Sequence, residues 1–205
     1  MLNFLLNMAG RIKNKIEIER KRRRWANLKR LGMHIGKGVN LPMTTGIDTP
    51  HCFLISIGDN CGFGDECIIL AHDAMPNEYL DATKIGRVTI HESCHFGART
   101  VILPGVSIGP RSIVGSNSVV ATDIPPNTVA AGNPAKVICT MDEYLERHRQ
   151  KMKTAPQFPY KEYDYKYISR EKLKEMLARL ETTSGYITGG YTAMVEEGEC
   201  LVRTE

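Results

Sequence analysis

Residues 90–120 read IHESCHFGARTVILPGVSIGPRSIVGSNSVV, with an apolar residue at every sixth position: Ile90, Phe96, Ile102, Ile108, Val114 and Val120. Ile, Leu, Val and Phe make up about a quarter of the chain, so six successive hits by chance have odds on the order of 10⁻⁴ per starting point. Two shorter runs keep the same step, Ile35–Leu41–Ile47–Phe53 and Ile57–Phe63–Ile69. Glycine follows the apolar residue at Gly36, Gly58, Gly64, Gly97, Gly109 and Gly115. Four positions after it stands a small or modest residue: Cys61, Cys67, Cys94, Thr100, Val106, Ser112 or Ser118.

A period of six fits neither the 3.6 of a helix nor a plain alternation of two. It suits a solenoid of short flat strands joined by tight corners, each strand turning one large and one small residue inward. Stacked coils then complete one another's backbone hydrogen bonds about 4.8 Å apart. The period leaves the number of flats per coil open.

The breaks in the period carry information too. Phe53 to Ile57 is a step of four, and Ile69 to Ile90 is 21, which is not a multiple of six. The second break is an inserted loop, residues 71–84, running from Ala71-His72-Asp73 to Lys84. Insertions in a solenoid collect on one face and often bind ligands. His72, at the mouth of this loop, is the histidine placed for chemistry, because imidazole exchanges a proton near neutrality.

Composition bounds the rest. With 205 residues and 42% apolar content, the chain supports one medium domain with appendages. No 18-residue apolar stretch predicts a membrane-spanning helix, and charges follow rather than precede the apolar start, unlike a secretory signal. Six cysteines without a C-x-x-C pair, three of them at the small inward position, read as buried thiols of a cytoplasmic protein.

Three segments result. Residues 1–30 form a basic helical segment with ten Lys and Arg against Glu17 and Glu19, and with Leu5, Met8, Ile12 and Ile16 as its apolar stripe. No nucleic-acid recognition motif accompanies this charge, so nucleic acid is not an expected partner; the charges read first as the solvated face of the helix, with peripheral contact with an anionic membrane as the alternative. Residues 31–140 carry the repeat, about five coils of 18. Residues 141–205 form a helical or irregular extension with a charged helix over 142–153. A second helix, capped by Ser169, carries Leu173, Met176, Leu177 and Leu180, and a hairpin is expected around Gly189-Gly190.

Residues 57–138 resemble the hexapeptide-repeat acyltransferases, especially the galactoside, maltose and polysaccharide O-acetyltransferases. The resemblance rests on Ala98 to Gly109, Val114 to Asn127 with its Asp-Ile-Pro-Pro-Asn, and the Gly-Asn-Pro-Ala-Lys of residues 132–136. It implies an all-β fold, a left-handed parallel β-helix of three-sided coils with helical N- and C-terminal appendages. It also implies a homotrimer that binds acetyl-coenzyme A between subunits and uses no metal.

By the same resemblance, His72 is the general base that takes a proton from an acceptor hydroxyl as it attacks the thioester. Asp73 and Glu78 are the acids near enough in sequence to orient it. Ala98 and Ser116 match corner residues beside the pantetheine arm, Ala121 and Thr122 the pair at the nucleotide end, and Lys136 a base facing phosphate. Two departures stand out: His95 replaces a tryptophan, and Cys139 stands where a second basic residue is usual. The expected acceptor is a sugar or surface-polysaccharide precursor; serine, an amino-sugar nucleotide or a xenobiotic alcohol are alternatives. A different class, a zinc lyase of the gamma-carbonic-anhydrase type, would need His72, His91 and His95 to converge.

Overall fold

A computed structural model of the chain describes residues 16, 18–166 and 168–190. Its centre is a parallel β-helix with three flats per coil. The first flat stacks His34–Ile35, Ile55–Ile57, Val88–Ile90 and Ser107–Ile108. The second stacks Gly62–Phe63, His95–Phe96, Ile113–Val114 and Thr128–Gly132, and the third Gly46–Ile47, Ile68–Ile69, Val101–Ile102 and Val119–Val120.

The register settles the number of sides. Ile90 pairs with Ile108, Phe96 with Val114 and Ile102 with Val120, each partner 18 residues on. Three hexapeptides therefore close one turn. All six apolar residues at the sixth positions from Ile90 to Val120 are buried, as are all seven small partners from Cys61 to Ser118. The hydroxyls among those partners do not go unpaired: Thr100 Oγ1 donates to the carbonyl of Gly97 at 2.8 Å, and Ser112 Oγ to that of Pro125 at 2.8 Å. Glycine after the apolar residue is a matter of clearance. A Cβ on Gly97 would lie 2.4 Å from the backbone nitrogen of Ser116 in the next coil.

Lower in the stack the register jumps. Ile35 pairs with Ile57 and Ile47 with Ile69, 22 residues apart, so four extra residues lie between the third and first flats. Ile57 pairs with Ile90 and Ile69 with Ile102, 33 apart, which places fifteen extra residues at the same corner one coil on. The first insertion is a 3-10 segment, Thr49–Leu54, with a proline at its start. This corrects the expectation for Phe53: it is 56% exposed, and Cys52 and Ile55 point inward instead. The second insertion projects as a hairpin in which His72 pairs with Ile85 and Asp73 with Lys84, around a short helix, Asn77–Leu80.

Both ends of the stack are covered, as exposed coil ends require. A helix over residues 18–30 lays Trp25 and Leu28 into the core beside Met33. Of the predicted apolar stripe, Leu5, Met8 and Ile12 lie outside the described residues, and Ile16 is half exposed. At the other end Ala135–Thr140 runs antiparallel along Thr128–Gly132.

Thr140 then caps a helix, Met141–Met152, in a reciprocal capping box with Glu143. Beyond it Phe158 and Tyr163 form a small cluster of their own, ring centroids 5.0 Å apart. Ser169 caps the helix Arg170–Arg179 through the backbone N–H of Lys172. The apolar face expected of that helix is covered in part: Met176 and Leu180 are half-buried, whereas Leu173 and Leu177 are exposed. Tyr186–Thr188 pairs in parallel with Gln157–Pro159, and the second arm of the hairpin expected around Gly189-Gly190 lies outside the described residues.

Candidate active site

The two insertions meet. Asp48 leaves the third flat as the first insertion begins, and Ala71-His72 leaves it one coil further on. Asp48 is anchored through its own backbone, whose N–H donates to the carbonyl of Ile69 at 3.1 Å. Its carboxylate, 1% exposed, accepts from two directions. Oδ2 takes the backbone N–H of Ala71 at 3.0 Å and faces Nδ1 of His72 at 2.5 Å, while Oδ1 faces Nδ1 of His51 at 3.4 Å. The two imidazoles lie against each other, ring centroids 4.6 Å apart and inclined by 39°. Both are about a third exposed.

Burial works against the charge on Asp48. The hydrogen bond with His72, the Ala71 N–H and the neighbouring imidazoles outweigh it and hold this carboxyl below the usual carboxylate range. A carboxylate can only accept, so His72 presents Nδ1–H to it and keeps the lone pair on Nε2. That is the tautomer of a general base whose buried acid fixes the ring. The hairpin closes beside His72, where Gly86 N–H donates to the carbonyl of Ala71 at 2.9 Å.

The acid that meets His72 is therefore neither of the two that follow it most closely in sequence, and both of those are ordinary loop acids. The Asp73 carboxylate folds back onto the backbone N–H of Met75 at 3.0 Å, and Glu78 is an exposed residue of the short helix. Asp48 and His51 were missed because they lie 24 and 21 residues before His72 in sequence. A signal for them existed. From Ile47 to Ile57 the apolar step is ten, four more than six, so the chain slips at the corner where the larger loop leaves it.

The remaining predicted residues fall at two other places. Ala98 and Ser116 occupy neighbouring rungs of the corner between the second and third flats, where Asn117 N–H donates to the Ala98 carbonyl at 2.9 Å. Lys136 pairs with Ala131, whose Cβ faces Gly115, at the top of that corner. Ala121 and Thr122 follow the last strand of the third flat, on the corner that carries His72 but two coils away. One chain thus brings Ala98, Ser116 and Lys136 together but keeps them apart from His72.

His91 and His95 do not join His72: His91 follows the first flat and His95 lies on the second. Within one chain the three histidines do not converge. Burial lowers the pKa of His95, whose ring faces Gly62 across the coils. Among the described residues, the group of donors close enough to share one ion is Asp48, His51 and His72, a set the sequence reading did not contain.

Residues 87–122 match the model of the bacterial transferase hexapeptide, six repeats. The chain carries the hexapeptide transferase repeat. Its coils are accordingly those of a left-handed parallel β-helix. The repeat-bearing chain is 36% identical over 117 residues to the "Putative acetyltransferase YvoF" of Bacillus subtilis, covering 57% of this chain and 66% of that one. It is 35% identical over 118 residues to the galactoside O-acetyltransferase of Lactococcus lactis, covering 55% of each. The chain thus spans just under two thirds of the first relative and about half of the second. Among solved structures, a maltose O-acetyltransferase from Clostridium difficile superposes with a TM-score of 0.47 at 26% identity, over 55% of this chain and 72% of that one.

Proposed function

We propose that this protein transfers the acetyl group of acetyl-coenzyme A to a hydroxyl of a sugar or surface-polysaccharide precursor. His72 acts as the general base and Asp48 orients it. The observation that carries this reading is the Asp48–His72 hydrogen bond at the corner where both insertions leave the coil. The acetyltransferase names of the relatives agree with it, and the galactoside acceptor named for one of them suggests the acceptor class.

In this reading the acceptor hydroxyl donates to Nε2 of His72 and loses its proton as its oxygen attacks the thioester carbonyl. The tetrahedral intermediate then expels the coenzyme A thiolate, and the proton held by His72 returns to the leaving sulfur. Asp48 stabilises the imidazolium that forms in between. Ala98, Ser116, Ala121, Thr122 and Lys136 line the path of the coenzyme, with Lys136 facing its phosphates. Since His72 and the Ala98–Ser116 corner sit on different edges of one chain, a complete site calls for a second copy. The assembly we propose is the homotrimer, with the coenzyme lying between protomers.

Exposed Arg20, Arg22 and Arg23, beside half-exposed Ile16 and Ile18, support peripheral contact with an anionic membrane surface from the cytoplasmic side. No helix among the described residues is long and apolar enough to cross a membrane. Deleting the whole segment would uncover the core at Trp25, so reversing these three charges is the cleaner test, with reduced binding to anionic vesicles expected.

The deciding experiment follows loss of the thioester absorbance of acetyl-coenzyme A with galactosides, maltose, serine, an amino-sugar nucleotide and a xenobiotic alcohol as acceptors. Acceptor-dependent loss that disappears in His72→Ala supports the reading. No loss with any hydroxyl acceptor, or full activity in His72→Ala, overturns it.

A further inference from the structure

We infer that Asp48, His51 and His72 form a binding site for a divalent transition-metal cation, Zn²⁺ in the first instance, and that occupancy switches the acetyl transfer proposed above off. The inhibitory half rests on that reading; the binding half does not. Acetyl transfer by an Asp–His pair has no use for a second imidazole on the same carboxylate. Yet the first insertion delivers one, and three donors of the kinds zinc prefers converge.

The distances suit the ion. Zn–N and Zn–O bonds of about 2.0–2.2 Å set the donors of a tetrahedral site roughly 3.4 Å apart. His51 Nδ1 and Asp48 Oδ1 are already 3.4 Å apart. His72 Nδ1 and Asp48 Oδ2, at 2.5 Å, need to open by only about 1 Å as the metal displaces the proton between them. One donor atom from each of the three side chains falls within 4.8 Å of the other two. Two imidazoles and one carboxylate leave a fourth position for water. They also favour zinc, copper or nickel over magnesium or calcium, which take oxygen donors.

The carboxylate is buried and fixed by the Ala71 N–H, so it is positioned before the ion arrives. With the metal on Nδ1, the His72 ring is no longer held by the charge of Asp48 alone. The ring's single proton then sits on Nε2, which has no lone pair left to take the proton of an acceptor hydroxyl. The cost to the enzyme is the proton acceptor.

The test needs neither coenzyme nor acceptor at first. Metal-free full-length protein is titrated with Zn²⁺ against a chromophoric chelator. One Zn²⁺ per chain is expected, weakened more than about tenfold in His51→Ala and in Asp48→Asn and unchanged in Cys139→Ser, a thiol elsewhere on the surface. Zinc-soaked crystals should show anomalous density between the three side chains, which keeps the inference testable if a variant folds poorly.

In the thioester assay, Zn²⁺ should inhibit the unmodified protein and a chelator should restore it. His51→Ala should need about tenfold more Zn²⁺ for the same inhibition. Absence of stoichiometric binding, or binding untouched by both His51→Ala and Asp48→Asn, overturns the metal site and leaves the acetyl-transfer reading standing. Site-specific binding without acetyl transfer to any acceptor does the reverse.

Discussion

Coils 90–130 and coils 35–90 are built from the same hexapeptide, yet they serve different ends. In the upper region the register advances by 18 from Ile90 to Val120, tightening to 16 only in the last turn, where Ile108 pairs with Ile124 and Val114 with Ala130, and its inward side chains are buried. In the lower region it advances by 22 and then by 33, and both slips open at the corner after the third flat. Regular coils spend their side chains on packing. Slipped coils release backbone, and released backbone can hold Asp48, His51 and His72 at one point. The solenoid therefore places a site by being interrupted twice in register with itself.

The largest effect separating the two regions should come from His72→Ala. Removing a general base costs about 10²–10⁴ in turnover. The circular dichroism should keep its folded shape while the thermal midpoint falls modestly, because the ring lies outside the core but the buried Asp48 carboxylate loses its His72 partner. An upper-coil substitution should show the opposite profile. Ile102→Ala empties a fully buried position and should destabilise by about 2–5 kcal/mol, measured by denaturant unfolding. Its turnover at low temperature should persist as long as the chain stays folded. If His72→Ala unfolds the protein, the division between packing and chemistry is wrong.

How much of this was written in the sequence follows the same division. The six-residue step located the inward residues of the upper coils one by one, since a period needs only local repetition to be seen. Even the small partners from Cys61 to Ser118 were legible, and all are buried. The site was half legible. His72 announced itself by opening the larger break, but its acid did not. Nearness in sequence pointed to Asp73 or Glu78, whereas a solenoid makes neighbours of residues a whole coil apart. Asp48 belongs to His72 because Ile47 lies beside Ile69. That pairing can be read only after the coil length at this level, 22 rather than 18, is known.

Asp48→Asn tests the link between the two slips. An amide keeps the shape but can present its N–H to His72 and turn the imidazole to the unproductive tautomer. Turnover should fall roughly a hundredfold, less than on losing the ring itself. Stability should change with a definite pH sign. The folded-state pKa of Asp48 lies below its ordinary value, so its ionised form stabilises the fold above the ordinary carboxylate range. That contribution is lost as pH falls through the lowered folded-state value. The difference in stability between the native chain and Asp48→Asn should therefore be widest near neutrality and close on the acid side. A constant difference at all pH values would mean that the charge of Asp48 does not stabilise this corner.

The smallest expected effect sharpens the comparison most, because it concerns a residue on which period and structure disagree. Phe53 stands six after Ile47, so by the step alone it matches Ile102. It does not lie on a flat. The four added residues coil into the 3-10 segment Thr49–Leu54, which turns Cys52 inward and leaves Phe53 more than half exposed. Its ring reaches that of His51 only at 6.2 Å between centroids, tilted. Phe53→Ala should therefore shift stability by no more than about 0.5 kcal/mol, an order below Ile102→Ala, although both remove an apolar side chain in phase with the repeat. Turnover should move slightly if the ring steadies His51. Parallel denaturant curves for the two variants decide the point. Equal losses would put Phe53 in the core, return the coil to its regular path and remove the slip that brings Asp48 to His72.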